Sequence, residues 1–300
     1  MRPGDVCILI STCARYEPVA TLTARQLPCF WNPHPPVFWC GLPDAKSLAL
    51  RDDPSDWMAV TRSAVLDLQE RGFSWVYLIL DDHPPIGPCD SMYLNEHLPR
   101  LAEQIGAAQV GLLGWGQRRA LEGDLPDKTA PGLSRNSAGY RWKFSLHPSL
   151  WSVSCLLTVL EARMMQYEGH ARTPWNFERH RDEPGGLLPD RLIHSTFRVN
   201  GFQVSGSRGR ALILAKEAGL FGYDIARFLI RKTAGQAARD RFDTKNLWLY
   251  HIYCGPYPLF WSGAVRGGKP SPEFQFFFRL MARMWMLPGW RELGLVFEGR

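Results

Sequence analysis

No uninterrupted apolar run in the chain approaches the ~20 residues that a membrane-spanning helix needs. No two cysteines form a Cys-x-x-Cys pair or share a tight Cys/His cluster of zinc-ligand spacing. Spanning helices and structural zinc modules are therefore excluded. The seven cysteines, at 7, 13, 29, 40, 89, 155 and 254, are an odd set that predicts reduced core thiols. The chain has no internal repeat and no low-complexity tract, which sets aside solenoids and disordered tails. Basic residues never cluster: Arg118-Arg119 and Arg231-Lys232 are the only basic doublets, so nucleic acid is not an expected partner. Met1 to Asp5 leads straight into a short apolar strand with no secretory pattern, which predicts a cytoplasmic protein, with the inner face of the membrane as an alternative place.

What is present is a chain of 300 residues with 45% hydrophobic and 21% charged side chains. That is enough for one large α/β domain or two small ones with a substantial core. Thirty-five basic against 29 acidic residues give a net charge of +6. Such a balance favours anionic partners, among them anionic lipid and sugar nucleotides.

Val6 to Ser11 is a continuous apolar run ending in the polar Ser11-Thr12-Cys13-Ala14-Arg15-Tyr16, the pattern of a buried strand opening into a loop. A helix is predicted from about 17 to 27, a short strand over Val37–Cys40, and a helix over Trp57–Arg71 closed by Gly72. Trp75 to Leu80 is the strongest strand and stops abruptly at Asp81-Asp82-His83-Pro84-Pro85. A helix over 90–105 and a strand over 109–113 complete an alternation that predicts a Rossmann-like, mostly parallel sheet with helices on both faces. Residues 116–140 read as a long loop, Trp142–Leu146 as a strand, and Leu150–Met165 as a helix capped by Ser149. Further strands are predicted near 192–204 and 247–253, and helices near 211–233 and 273–286. The organisation expected is a single domain of two halves, residues 1–115 and 116–300.

Ligands of parallel sheets sit at the carboxyl ends of strands, which places both polar exits on the expected ligand edge. Strand alternation puts Asp81 and His83 on one side and Asp82 on the other, unless the chain bends at once. One carboxylate on a divalent cation and another on a hydroxyl would suit a nucleoside-diphosphate sugar, with Mg2+ or Mn2+ offsetting the diphosphate charge. Turn chemistry is the plainer explanation of an Asp-Asp pair. Glu178, behind Thr173-Pro174-Trp175, reads either as a general base for a hydroxyl or as half of an ion pair with Arg179 or Arg181. Arg266-Gly267-Gly268-Lys269-Pro270 reads as a loop closing over diphosphate or as a plain glycine turn. Asp44, Asp52 and Asp53 are undecided between nucleotide contacts and a helix start. Trp115, Trp142 and Trp151 are candidates for a sugar-stacking platform, with core packing as the alternative. Phe274 to Trp290 reads as a packed helix or a site of peripheral membrane contact.

Four segments in this order resemble small bacterial nucleotide-sugar-dependent glycosyltransferases of the A-type (GT-A) fold, the kind that build exopolysaccharides and surface glycans. They are Ser11 to Tyr16, Leu78-Ile79-Leu80-Asp81-Asp82, Thr173-Pro174-Trp175-Asn176-Phe177-Glu178, and Val265 to Pro270. The resemblance implies transfer of a sugar to a glycan or lipid-linked hydroxyl, with residues 1–115 as the nucleotide-sugar-binding half and 116–300 as the acceptor-binding half with a C-terminal lid and helix. Ser11, Thr12, Arg15, Tyr16, Asp81, Asp82, Arg266 and Lys269 would bind the donor. Asp82 or His83 would ligate the metal, and Glu178 would be the base of an inverting reaction. His83 stands where the family's Asp-x-Asp pattern has its last acid, which leaves metal dependence open. Nucleotidyl transfer and a non-catalytic sugar- or lipid-binding adaptor are the alternatives. The first is disfavoured because the Ser11–Tyr16 exit has no glycine to cradle phosphate.

Overall fold

The computed structural model describes residues 5–42, 47–48, 52–85, 89–112, 132–136, 144–178, 188–199 and 225–242, and the backbone of two-residue strands at 125–126, 252–253, 260–261, 265–266 and 269–270. Strand β1 (Val6–Ser11), helix α1 (Glu17–Phe30), β2 (Val37–Cys40), α2 (Trp57–Glu70) and β3 (Trp75–Leu80) follow one another as the sequence predicts. A π-helical turn, Tyr93–His97, leads into α3 (Leu98–Gln104), and β4 (Gln109–Gly111) follows. Then come β5 (Leu125–Pro126), β6 (Leu133–Arg135), β7 (Ser149–Ser152), α4 (Val153–Gln166), α5 (Pro174–Glu178), α6 (Asp190–Ile193) and β8 (Thr196–Val199). The described residues 225–242 are helical and are labelled α7, with Gly235 at φ +78° among them. Strands β9 (Ile252–Tyr253) and β10 (Phe260–Trp261) pair with each other, as do β11 (Val265–Arg266) and β12 (Lys269–Pro270).

The eight strands β1 to β8 form one mixed sheet in the order β2-β1-β3-β7-β4-β8-β6-β5. β1 pairs parallel with β2 and β3, and β4 with β8, while β6 and β7 run against their neighbours. Six of the eight strands therefore point the same way. The pleat sends alternate residues of β1 and β3 to opposite layers. Cys7, Leu9, Val76 and Leu78 pack with Met58, Val65, Leu156 and Leu160 of α2 and α4. Ile8, Ile10, Tyr77 and Ile79 pack with Ala20, Leu27, Leu98 and Ala102 of α1 and α3. Helices cover both faces, which is why β1, up to its last residue Ser11, and β3 are apolar at successive positions rather than at every second one.

The ends of α2 follow local chemistry. Asp56 caps it by accepting a 2.9 Å bond from the Ala59 N–H, and Gly72, at φ +90°, releases the chain after Arg71. The six described cysteines, 7, 13, 29, 40, 89 and 155, are free thiols; Cys7 and Cys40 are buried, whereas Cys29 is exposed.

Three expectations need correction. Residues 144–148 form no strand, and Leu150 and Trp151, predicted to begin a helix, belong to β7; the helix starts at Val153. Packing decides this, because Leu150 faces one core layer and Trp151 the other, as only a strand between two buried layers allows. The segment 116–140 is not loop throughout, since β6 hydrogen-bonds to β8 and β5 to β6. Helical residues continue to 242, past the predicted end at 233, although Gly235, at φ +78°, interrupts the regular helix close to that end; 211–224 and 273–286 lie outside the described residues.

Candidate functional site

Register brings the two polar exits together. Ser11 is the partner of Leu80 across the parallel β1–β3 pair, so the segments after them leave the sheet side by side. The Asp81 N–H still donates to the Ser11 carbonyl at 3.1 Å, continuing the ladder by one bond. The Thr12 hydroxyl donates to Asp81 Oδ2 at 2.7 Å, and the Thr23 hydroxyl of α1 donates to the Asp81 carbonyl at 3.2 Å. The other side of Thr12 is closed by Gly41, at φ +91°, where a Cβ would fall 1.8 Å from the Thr12 carbonyl oxygen. Only glycine fits there.

The chain bends as soon as it leaves β3. The His83 N–H turns back to the Leu80 carbonyl at 3.2 Å, so alternation does not separate Asp82 from His83. Instead Asp82 Oδ1 lies 3.0 Å from His83 Nδ1 and the two form a pair, while Asp81 turns to Thr12.

Antiparallel β7 explains what the pair meets. Because Ser149 is the partner of Leu78, the residues just before β7 lie beside those just after β3. The His147 ring packs edge-on against the His83 ring at 5.3 Å. His147 Nδ1 is 2.7 Å from the Ser145 hydroxyl, which also lies 3.4 Å from Glu178 Oε1 as a donor. The Leu146 N–H donates to the same Glu178 oxygen at 2.7 Å. Two sets of polar contacts thus meet here: Thr12 with Asp81 beside the Asp82–His83 pair, and His147 and Ser145 with Glu178, the two sets joined by packing of the His83 and His147 rings.

α5 is held to this place from three sides. Phe177 is fully buried against Trp57, the first residue of α2, at 5.5 Å, and against Trp151 of β7 at 6.1 Å. The Trp57 indole N–H donates to the Ser11 hydroxyl at 2.8 Å, which ties α5's support to the exit of β1. Arg172 donates to Asp56 at 2.9 Å and to the Met164 and Tyr167 carbonyls, joining the start of α2 to the end of α4. Trp175, one helical turn before Glu178, is left 69% exposed.

The surroundings set the acid strengths. Burial, with the neighbouring Asp82 charge, pushes Asp81 up to about 7 despite the bond from Thr12. Burial alone would raise Asp82 as well, but the His83 imidazole, and His147 behind it, hold its carboxyl below the usual range. Burial and the nearby His83 push His147 down to about 3, so at neutral pH it is an uncharged ring. Burial raises Glu178 above the ordinary glutamate value, against the bond from Leu146.

The remaining sequence candidates divide. Arg15 is exposed, 6.0 Å from the centre of the Tyr16 ring, and Tyr16 stands at the start of α1. Arg266 and Lys269 are cross-strand partners in the β11–β12 hairpin, either side of Gly267-Gly268. Asp52 bonds to Ser63, and Asp53 accepts from the Ser55 N–H and hydroxyl at 2.9 Å, which is local turn chemistry. Trp151 is fully buried with its N–H on Ser149, so it is core and no stacking platform. Asp44, Trp115, Trp142, Arg179, Arg181 and 274–290 lie outside the described residues.

Among the described residues no group of three or more His, Cys, Asp or Glu side chains could hold a metal ion by itself. Asp82 and His83 are the two adjacent donors. Asp82 is the anionic member and keeps 30% of its side chain exposed. That set fits a cation whose shell is completed by substrate phosphates and water, as Mg2+ commonly is. Sequence reasoning took His147 only as part of a turn and did not single out Ser145; both reach the site through β7, which lies far from β3 in the chain. Comparison of the chain with models of known protein families, with curated proteins and with solved structures finds no match.

Proposed function

We propose that this chain is a nucleotide-sugar-dependent glycosyltransferase of the A-type fold, moving a sugar from a nucleoside-diphosphate donor to a glycan or lipid-linked hydroxyl with inversion. The observation that carries the reading is the convergence of four separate segments on one sheet edge, where the Asp81-Asp82-His83 exit of β3 is linked through His147 and Ser145 to Glu178. A sheet with six strands running one way and helices on both faces supports the fold assignment.

Asp81 and Asp82 accept hydroxyls of the ribose and sugar, and Arg15, Arg266 and Lys269 neutralise the phosphates. Asp82, with His83, would hold Mg2+ or Mn2+, which would offset charge on the diphosphate. Glu178 takes the proton of the acceptor hydroxyl as that oxygen attacks the anomeric carbon. The bond from carbon to the diphosphate oxygen breaks, and the diphosphate leaves with the electron pair. Attack on the face opposite the leaving group inverts the anomeric centre. A raised Glu178 suits this task, because a base works best with an acid strength close to the working pH. The backbone bond from Leu146 fixes its direction. Holding donor and acceptor in line supplies ~7–11 kcal/mol of the barrier. Trp175, exposed one turn from Glu178, takes the stacking role for the acceptor sugar, for which other tryptophans were the candidates in the sequence.

The test is a thermal-shift screen of nucleoside diphosphates and their sugars with and without Mn2+, followed by release of diphosphate with the responding donor. Donor at 100 times its dissociation constant stabilises by about 2.7 kcal/mol. Asp82→Ala abolishes that response, whereas Glu178→Gln keeps it and loses turnover. No response to any nucleotide refutes the reading. Retained glycan binding by Asp82→Ala, with no turnover by the wild type, makes the protein an adaptor instead.

A further inference from the structure

Core helices of this protein spend their apolar faces on the sheet: α2 buries Met58, Val60, Ala64, Val65 and Leu68. α7 does the reverse. The exposed large apolar side chains among the described residues are six, and three of them, Ile225, Phe228 and Leu229, stand close together on α7 at 48%, 61% and 53% exposure. Their spacing of three and four residues puts them on one side of the helix, and Lys232 falls on the same side. The Lys232 ammonium lies 5.9 Å from the centre of the Phe228 ring, and Arg231 is exposed next to it. Across 225–242 there are five cations, Arg227, Arg231, Lys232, Arg239 and Arg241, against the single acid Asp240, a net of +4. No helix of the described residues is long and apolar enough to cross a membrane.

An apolar stripe bordered by cations, on a helix too polar to insert across a bilayer, matches a surface with hydrocarbon beneath and negative charge above. We infer that α7 lies in the plane of an anionic lipid surface. Ile225, Phe228 and Leu229 enter the acyl boundary, and Arg231 and Lys232 extend to the lipid phosphates. A second copy of the chain is the poorer occupant, because a two-fold contact through this face would bring together two segments that each carry a net charge of +4. The inference is independent of the transferase reading and uses none of its residues.

Co-sedimentation of the full chain with vesicles of phosphatidylcholine, alone or mixed with phosphatidylglycerol, tests it. The wild type pellets with the mixed vesicles, not with phosphatidylcholine alone, and the binding weakens as salt is raised. Arg231→Gln with Lys232→Gln lowers the partition coefficient about 30-fold, taking roughly fivefold for each cation. Phe228→Ser with Leu229→Ser removes binding while the unfolding temperature stays that of the wild type, since both side chains are already exposed. Equal binding by the variants, or no preference for phosphatidylglycerol, overturns the inference. So does a dimer in sedimentation velocity that Phe228→Ser with Leu229→Ser dissociates, which would assign the face to a second copy.

Discussion

Replacing Asp81 by asparagine keeps an acceptor for the Thr12 hydroxyl and removes only the ability to ionise. In the folded protein this carboxyl titrates at about 7, against 3.8 for an unperturbed aspartate, because it is buried beside the Asp82 charge. A raised acid is easier to ionise in the unfolded chain than in the folded one. Below the unfolded value it therefore costs the fold nothing. The penalty grows as pH rises from about 4 to about 7 and is constant above that, reaching about 4 kcal/mol. Between about pH 5 and about pH 7.5 the wild type should lose about 2.5 kcal/mol relative to Asp81→Asn. Urea unfolding of both proteins at the two pH values, with divalent cations chelated, reads this directly, and titrating groups that do not interact with Asp81 cancel in the difference. A difference that stays the same at the two pH values, or that favours the wild type at the higher one, refutes the electrostatic account of the site.

Glu178→Gln should lower turnover by ~10² to 10⁴ with donor affinity unchanged, and the rising limb of the wild-type pH–rate profile should lie above the ordinary glutamate range; steady-state rates across pH check both. Gly41→Ala should destabilise by about 3 kcal/mol or more, because both the positive φ and the Thr12 carbonyl exclude a Cβ; chemical unfolding measures it. Trp57→Phe keeps the ring against Phe177 but loses the bond to Ser11, which should cost about 1 kcal/mol and weaken donor binding through the β1 exit. Unfolding and donor titration of that variant separate the two effects.

The parallel half of the sheet was legible because its strands are near-continuous apolar runs, broken only by Ser11 at the end of β1, and stop at Thr12, Gly41 and Asp81. β1, β2 and β3 have the boundaries read from sequence. β7 was not legible. Ser149 to Ser152 runs into α4 with no breaker between them, and only the gap between β3 and β4 tells Leu150 and Trp151 to be extended. The site shows the same division. The acids at the end of β3 and Glu178 announce themselves by their settings, but alternation misplaced Asp82, since the turn begins one residue earlier than an extended chain would allow. The His83–His147 contact joins residues with no local pattern in common, so only the fold brings it into view.

The position of β7 also has a consequence for synthesis. On the ribosome, β1, β2 and β3 can pair as soon as they emerge, but the outer edge of β3 belongs to β7, which is made only after β4 and all the chain between. Until residue 149 arrives, the most apolar strand of the nascent protein presents unpaired backbone donors and acceptors to the solvent. Truncations ending between 112 and 148 should therefore clump, and chaperone demand should fall sharply once the antiparallel strand is complete.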